Sequence, residues 1–259
     1  MPGLRVTTAD GVATLTIDNA ARRNSLTLSM WKQFGPLLEN LADDPEVKVV
    51  VVRGEGDNFS AGADIRDLAA IFEGPTDGGW VTEAEDAIAS FPKPTIAAID
   101  GFCVGGGWEI AGACDIRIAS GRAQFGVTPA RIGIIYPLSG IQRLVTVAGP
   151  AIAKLLLLTG ELIDANRAYE FGMVTRVVDP GSFWPAVGEF AAELSTRSQL
   201  STNAMKELVD LLAAGGHAQA GSRLAFWQQQ AAASDDAAIG AAAFLAHTDP
   251  QFTWSRSLD

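Results

Sequence analysis

Glu109 stands three residues beyond Gly106 in the run Gly101-Phe102-Cys103-Val104-Gly105-Gly106-Gly107-Trp108-Glu109. The run follows an apolar stretch, Thr95 to Ile99, that reads as a buried strand. It precedes Ile110-Ala111-Gly112-Ala113, which reads as the first turns of a helix. Three glycines at a strand-to-helix handover let the backbone approach a ligand closely. The N–H groups at a helix start have no intrahelical partner, and the helix dipole places partial positive charge there. Such a place can hold an anion or stabilise a developing oxyanion. Glu109, about one helical turn from Gly106, can serve the same pocket. A glycine-rich turn required only for packing is the competing reading.

A second stretch repeats this design. Val47 to Val52 is a continuous β-branched run, the pattern of a strand buried on both faces. It leads into Gly54-Glu55-Gly56-Asp57-Asn58-Phe59-Ser60-Ala61-Gly62-Ala63-Asp64-Ile65. Two strand ends, each delivering backbone N–H groups, could converge on one acceptor. Other chemistries are poorly served. The only histidines, His217 and His247, lie late in Ala-rich helical sequence with no Ser, Asp or Cys constellation around them. A Ser-His-Asp triad or a His-ligated metal is therefore not expected. Cys103 and Cys114 are too few for a disulfide framework and lack metal-type spacing. Proton transfer is left to carboxylates, Tyr or backbone groups.

These residues need elements to position them. Leu4 to Thr8 and Val12 to Asp18 alternate apolar and polar residues around Asp10-Gly11, a hairpin pattern. Leu28 to Leu41 has helical periodicity with Ser29 as its expected cap, and Asp43-Asp44-Pro45 ends it. Thr82 to Ser90 reads as a short helix stopped by Phe91-Pro92-Lys93-Pro94, and Cys114 to Ala119 as a strand. Ala123 to Pro129 reads as extended, and Arg131 to Leu138 as a loop holding Tyr136 before Pro137. Two helices are expected on either side of Gly149-Pro150, then one over Asp164 to Phe171, then a strand over Val174 to Val178. From Ser182 the signal is helical throughout, with helices over 182–194, 199–212, 217–232 and 234–246. The break near Asp179-Pro180-Gly181 divides the chain into a mixed α/β body, residues 1–180, and a helical end, residues 181–259.

The 259 residues are 48% hydrophobic, enough for a sizeable core. A net charge of −11 argues against nucleic acid or an anionic membrane as partner. No signal-peptide pattern opens the chain and no apolar run approaches membrane-spanning length, so a cytoplasmic protein is expected.

Four stretches together resemble the crotonase family of enoyl-CoA hydratases and isomerases. They are Arg22-Arg23-Asn24-Ser25-Leu26, Phe59 to Ile65, Gly101 to Glu109 with Cys114-Asp115-Ile116, and Ala123-Gln124-Phe125-Gly126 leading to Gln142-Arg143-Leu144. The resemblance implies an α/β fold, a spiral of β-β-α units with a C-terminal helical region that builds trimers, often hexamers. It implies an acyl-CoA thioester as ligand, with no separate cofactor or metal. It implies an oxyanion hole made by the N–H groups of Ala63 and Gly106, with Glu109 as the proton-transfer group. Arg22 is expected near the CoA phosphates, and the backbone of Ala61, Asp64 and Ile65 near the adenine and pantetheine.

Two departures matter. A hydratase of this family uses a second glutamate, which would fall at position 129, and this chain has Pro129 flanked by Val127, Thr128, Ala130 and Arg131. With one carboxylate, shifting a proton within the substrate is easier to justify than adding water. The stretch Thr128 to Tyr136 also looks like bacterial methylmalonyl-CoA decarboxylases, in which Tyr136 would assist. Those enzymes carry a His where this chain has Ala63. A decarboxylase and a catalytically silent acyl-CoA-binding protein are the alternatives to a hydratase/isomerase-type enzyme.

Overall fold

The computed structural model describes residues 2–256. Strands β1 (Gly3–Ala9) and β2 (Val12–Asp18) form the expected hairpin, with Asp10 and Gly11 both in the left-handed conformation that such a two-residue turn requires. Four further strands extend the sheet in parallel: β3 (Val49–Gly54), β4 (Thr95–Ile99), β6 (Ile116–Ser120) and β9 (Arg176–Val178). The strand order is β1-β2-β3-β4-β6-β9. A smaller sheet is built from β5 (Phe102–Val104), β7 (Gln124–Gly126) and β8 (Leu162–Asp164). Isolated bridges Ser60↔Cys103 and Leu26↔Ala63 carry this second layer back to the early loops. Each turn of the chain thus adds a strand to the large sheet and a neighbouring strand to the small one, which is the spiral of β-β-α units.

The Val49-Val50-Val51-Val52 run shows why the sequence reads as continuously apolar. Val50 and Val52 enter the main core with Leu15, Ile17, Trp31, Phe34 and Ile99. Val49 and Val51 face the other way, against Ile96, Phe183, Val187 and Ala191. Alternating side chains must then be apolar on both faces. The main core is closed by α1 (Leu28–Asp43), α3 (Gly79–Ala89), α4 (Gly106–Ala113) and α6 (Leu138–Thr159). The short helices α2 (Leu68–Phe72), α5 (Pro129–Ile132) and α7 (Ala165–Glu170) fill the connections. The opposite face is covered by α8 (Phe183–Ser195), whose Phe183, Val187 and Ala191 recur every four residues as one stripe. The 180/181 division therefore falls just before a helix that lies on the sheet. Beyond it come α9 (Gln199–Ala213), α10 (His217–Ala232) and α11 (Asp236–Ala246).

Several local expectations need correction. The cap of α1 is Thr27, whose side chain accepts from the Met30 N–H, and Ser29 lies inside the helix. The strand over Thr95 to Ile99 does not hand over directly to a helix, because β5 intervenes within the glycine run. A strand of three residues carries too little periodicity to show in the sequence, and the same holds for β8. Pro129 does not end an extended segment but starts α5, at a position where its missing N–H costs nothing. Finally, α6 is long and apolar enough by composition to cross a bilayer, contrary to the expectation from uninterrupted apolar runs. It is interrupted at Gly149 and carries Arg143, which pairs with Asp86 on α3 at 2.7 Å.

Candidate active site

The two glycine-rich loops lie against each other. Ser60 donates its N–H to Phe102 O at 2.8 Å and accepts from the Val104 N–H at 3.0 Å, which registers the first loop on β5. On its other side the Leu26 N–H donates to Gly62 O and the Asp64 N–H donates to Leu26 O, both at 2.8 Å. This parallel bridge uses Gly62 and Asp64 and turns the intervening Ala63 N–H away from Leu26. Asn24, fully buried, fixes the loop from below by donating to Glu55 O at 2.9 Å and Asn58 O at 2.6 Å. Ser60 Oγ, donating to Asn24 O, also accepts from the Gly62 N–H.

The second loop is set by Gly105, at φ 53° and ψ −119°, a conformation that a side chain would resist. Its N–H donates to Gly126 O at 2.8 Å, and its carbonyl accepts from the Tyr136 hydroxyl at 2.9 Å. Gly106 then opens α4. A Cβ added to Gly106 would lie 3.1 Å from Ala63 N and 2.8 Å from the Trp31 ring. The two backbones can come this close only because no side chain stands there. Among the described residues, neither the Ala63 N–H nor the Gly106 N–H has a hydrogen-bond acceptor. Two adjacent free donors, one of them at a helix N-terminus, are groups of the kind that stabilise negative charge.

Glu109 follows on the first turn of α4 and is buried, 4% exposed. Its Oε1 has no hydrogen-bond partner. Burial first, and the charge of Glu85 second, push its carboxyl well above the usual carboxylate range. Tyr136 is buried beside it, and burial together with the two glutamates keeps the phenol protonated. The structure thus brings together Ala63, Gly106, Glu109 and Tyr136.

The residues expected to face CoA sit on the outer side of the same loops. Ala61 lines a cleft of about 270 Å³ with Arg23, Phe102, Val104, Thr128 and Arg131. Asp64 is buried and held by Arg66 (Nε to Oδ1 2.9 Å, Nη2 to Oδ2 2.5 Å) and by Arg22 at 3.4 Å. The hydrogen bonds from Arg66 hold its carboxyl down at about 2. The Asp64 carboxylate is occupied in anchoring two arginines, leaving Arg22, Arg66 and the 72% exposed Ile65 on the surface. A larger cavity of about 800 Å³, between α9, α10 and the turn after α3, contains none of these residues. No group of three His, Cys, Asp or Glu side chains that could hold a metal occurs among the described residues.

Sequence reasoning missed Glu85 and gave Arg143 no role. Glu85 lies on α3, fully buried, and accepts from Ser139 Oγ at 2.5 Å. Arg143 Nη1 is 3.3 Å from its Oε2, close enough for charge attraction but without hydrogen-bond alignment. The signal was present: Val81, Glu85 and Ile88 follow helical spacing, so Glu85 belongs to the face that α3 buries.

Known proteins resemble this chain over most of its length. Residues 7–255 match the family model described as enoyl-CoA hydratase/isomerase. The crotonyl-CoA hydratase of Syntrophomonas wolfei is 35% identical over 199 residues, covering 75% of this chain and 76% of that protein. The (E)-benzylidenesuccinyl-CoA hydratase of Thauera aromatica is 34% identical over 202 residues, 76% of this chain and 77% of that protein. A crystal structure of an enoyl-CoA hydratase/isomerase family member superposes with a TM-score of 0.93 at 42% identity, covering 99% of this chain and 100% of that one. The chain is a crotonase-fold protein and belongs to the enoyl-CoA hydratase/isomerase family.

Proposed function

We propose that this enzyme polarises an acyl-CoA thioester between the Ala63 and Gly106 N–H groups and moves a proton at the adjacent carbon with Glu109. The observation that carries the reading is the pair of unengaged N–H groups beside a buried carboxyl whose Oε1 also lacks a partner. As the α-carbon loses or gains a proton, negative charge moves onto the thioester oxygen. Donors already aimed there favour the enolate over the ground state and need no reorganisation. Glu109, with its affinity for a proton raised by burial, is matched to accept one from a weak carbon acid.

Tyr136 serves this site as a brace. Its hydroxyl proton is given to the Gly105 carbonyl, the residue before the second N–H donor. That engagement supports a positioning role over assistance in decarboxylation. The CoA moiety is assigned to the outer face of the first loop, with Arg22 and Arg66 for phosphate and Ile65 for an apolar contact. A shift in melting temperature with an acyl-CoA tests binding. A panel of enoyl-CoA and malonyl-type CoA thioesters, followed by mass spectrometry, tests the chemistry. Release of carbon dioxide from a malonyl-type thioester with no reaction on any enoyl thioester would replace this reading with decarboxylation. Binding without turnover of any thioester would replace it with a silent acyl-CoA-binding protein.

A further inference from the structure

Position 129, where a second acid/base carboxylate is missing, is not the only route to the reacting atoms. A Cβ added to Gly140, near the start of α6, would lie 3.3 Å from Glu109 Oε1, 3.3 Å from Glu85 Oε1 and 3.0 Å from Tyr136 Cε1. The two carboxyl oxygens therefore border one small space and stand no farther apart than twice that distance. Both oxygens are buried and neither has a hydrogen-bond partner. The other oxygen of Glu85 is held by Ser139 and attracted by Arg143, which fixes the direction in which Oε1 points. An ion pair serving only to join α3 to α6 would leave no reason to aim an unpartnered oxygen at Glu109. From this juxtaposition we infer that Glu85 is the second catalytic carboxylate of this enzyme, delivered by α3 in place of the residue that Pro129 cannot supply, and that with Glu109 it enables water addition to a 2-enoyl thioester.

The inference rests on the proposed enolate chemistry and extends it. Two carboxyls this close and this buried do not both ionise, so the pair carries one proton. Burial raises the affinity of Glu85 for that proton, and the nearby Asp86 adds to the effect. Arg143 and Ser139 on α6 oppose it, while Glu109 on α4 and Tyr136 before α6 face the same space. In the forward step the water oxygen bonds to the β-carbon and the ionised carboxyl takes the water proton. The C=C electron pair passes through the thioester enolate to the α-carbon, which takes the proton of the other carboxyl. Enoyl thioester plus water becomes the 3-hydroxyacyl thioester, and the pair ends with the one proton it began with. A Cβ at position 140 would crowd both oxygens, and glycine there leaves the approach between them clear.

The experiment measures crotonyl-CoA hydration by Glu85→Gln, Glu109→Gln, the double variant and Glu85→Asp, alongside acyl-CoA binding and exchange of α-protons of butyryl-CoA in heavy water. Glu85→Gln should lower kcat about 100-fold or more with KM and binding little changed, in the range one positioned acid/base supplies. It should retain α-proton exchange, which needs only Glu109 and the two N–H groups. The double variant should be little worse than the poorer single one, as residues acting together are. Glu85→Asp keeps the charge beside Arg143 but withdraws the carboxyl from Gly140, so it should fold and still lose hydration. Wild-type hydration by folded Glu85→Gln or Glu85→Asp, with Glu109→Gln inactive, would overturn the role of Glu85 and leave the proposed function standing. Absence of hydration by the unmodified enzyme would also overturn it. Full activity of both Glu85→Gln and Glu109→Gln would overturn the proposed function as well.

Discussion

Between Tyr136 and Glu85, with burial as the main cause, the Glu109 carboxyl holds its proton to higher pH than an exposed glutamate does. In the unfolded chain it ionises near about 4.3. The folded state therefore binds more protons than the unfolded state above that pH. The stability associated with this carboxyl is fully present below the unfolded value and is lost as pH rises through the folded one. Glu109→Gln removes that slope. The variant should gain melting temperature over the unmodified enzyme at pH 8, with the gain shrinking towards pH 4, while turnover falls by about 10²–10⁴-fold. A difference in melting temperature that does not change with pH would contradict the assignment of Glu109 as a carboxyl whose proton affinity burial raises. The oxyanion donors call for a different kind of substitution. Gly106→Pro removes an N–H at the first position of α4, where the helix loses no bond, and should lower turnover about 10²-fold or more. Gly106→Ala is its control, since it meets the same Trp31 ring at 2.8 Å but keeps the N–H. Equal losses in the two variants would point to crowding instead of a lost donor.

At the scale of elements, the site depends on how α4 is fixed at both ends. Its start is tied by Gly105 to β7 and to Tyr136. Its end is tied by Arg117 on β6, 7% exposed, which donates to Met173 O at 2.8 Å, Cys114 O at 2.6 Å and Ala111 O at 3.4 Å. Burial depresses the proton affinity of this guanidinium, yet three carbonyls share its charge. Arg117→Met leaves the Met173 and Cys114 carbonyls buried without a donor, while Ala111 O keeps the Cys114 N–H. It should cost about 1–3 kcal/mol or more and lower the melting temperature by roughly 2–4 °C per kcal/mol. Thermal unfolding measures the loss, and a variant as stable as the parent would show that water or local rearrangement satisfies the carbonyls. The α3 helix has a second duty: besides closing the core through Val81, Ala84 and Ile88, it brings Glu85 to Glu109 from a separate part of the chain.

For the whole molecule, the helices after α8 leave much apolar area uncovered. Phe244 is 81% exposed and Leu245 80%, and Met205, Val209 and Leu212 on α9 are about half exposed. The body holds this end through Asp115, which accepts from Thr95 and pairs with Lys206 on α9. Glu207 on α9 binds Arg223 and Trp227 on α10. The remaining apolar face is proposed to pack on other copies of the chain as a trimer or a multiple of it. Light scattering at micromolar concentration should give that mass, and Phe244→Asp with Leu245→Asp should reduce it. A monomer from the unmodified chain would contradict the proposal.

How much of this was legible in the residues follows from the range of the interactions. Period and breaker residues located the large-sheet strands and the four C-terminal helices, because burial on one or two faces writes itself into local spacing. Glycine runs and one acidic residue marked the two loops and Glu109 as candidates, while four stretches in order identified the family, and that resemblance singled out Ala63 and Gly106. The short strands β5 and β8 escaped, being held by neighbours instead of by their own pattern. The absence of a carboxylate near position 129 was read along the chain, where none stands. Only the packing of α3 and α6 across α4 placed Glu85, 24 residues before Glu109 in sequence, on the same space beside Gly140. Local spacing determines which face of a helix is buried; which distant side chains share that burial is decided by tertiary packing.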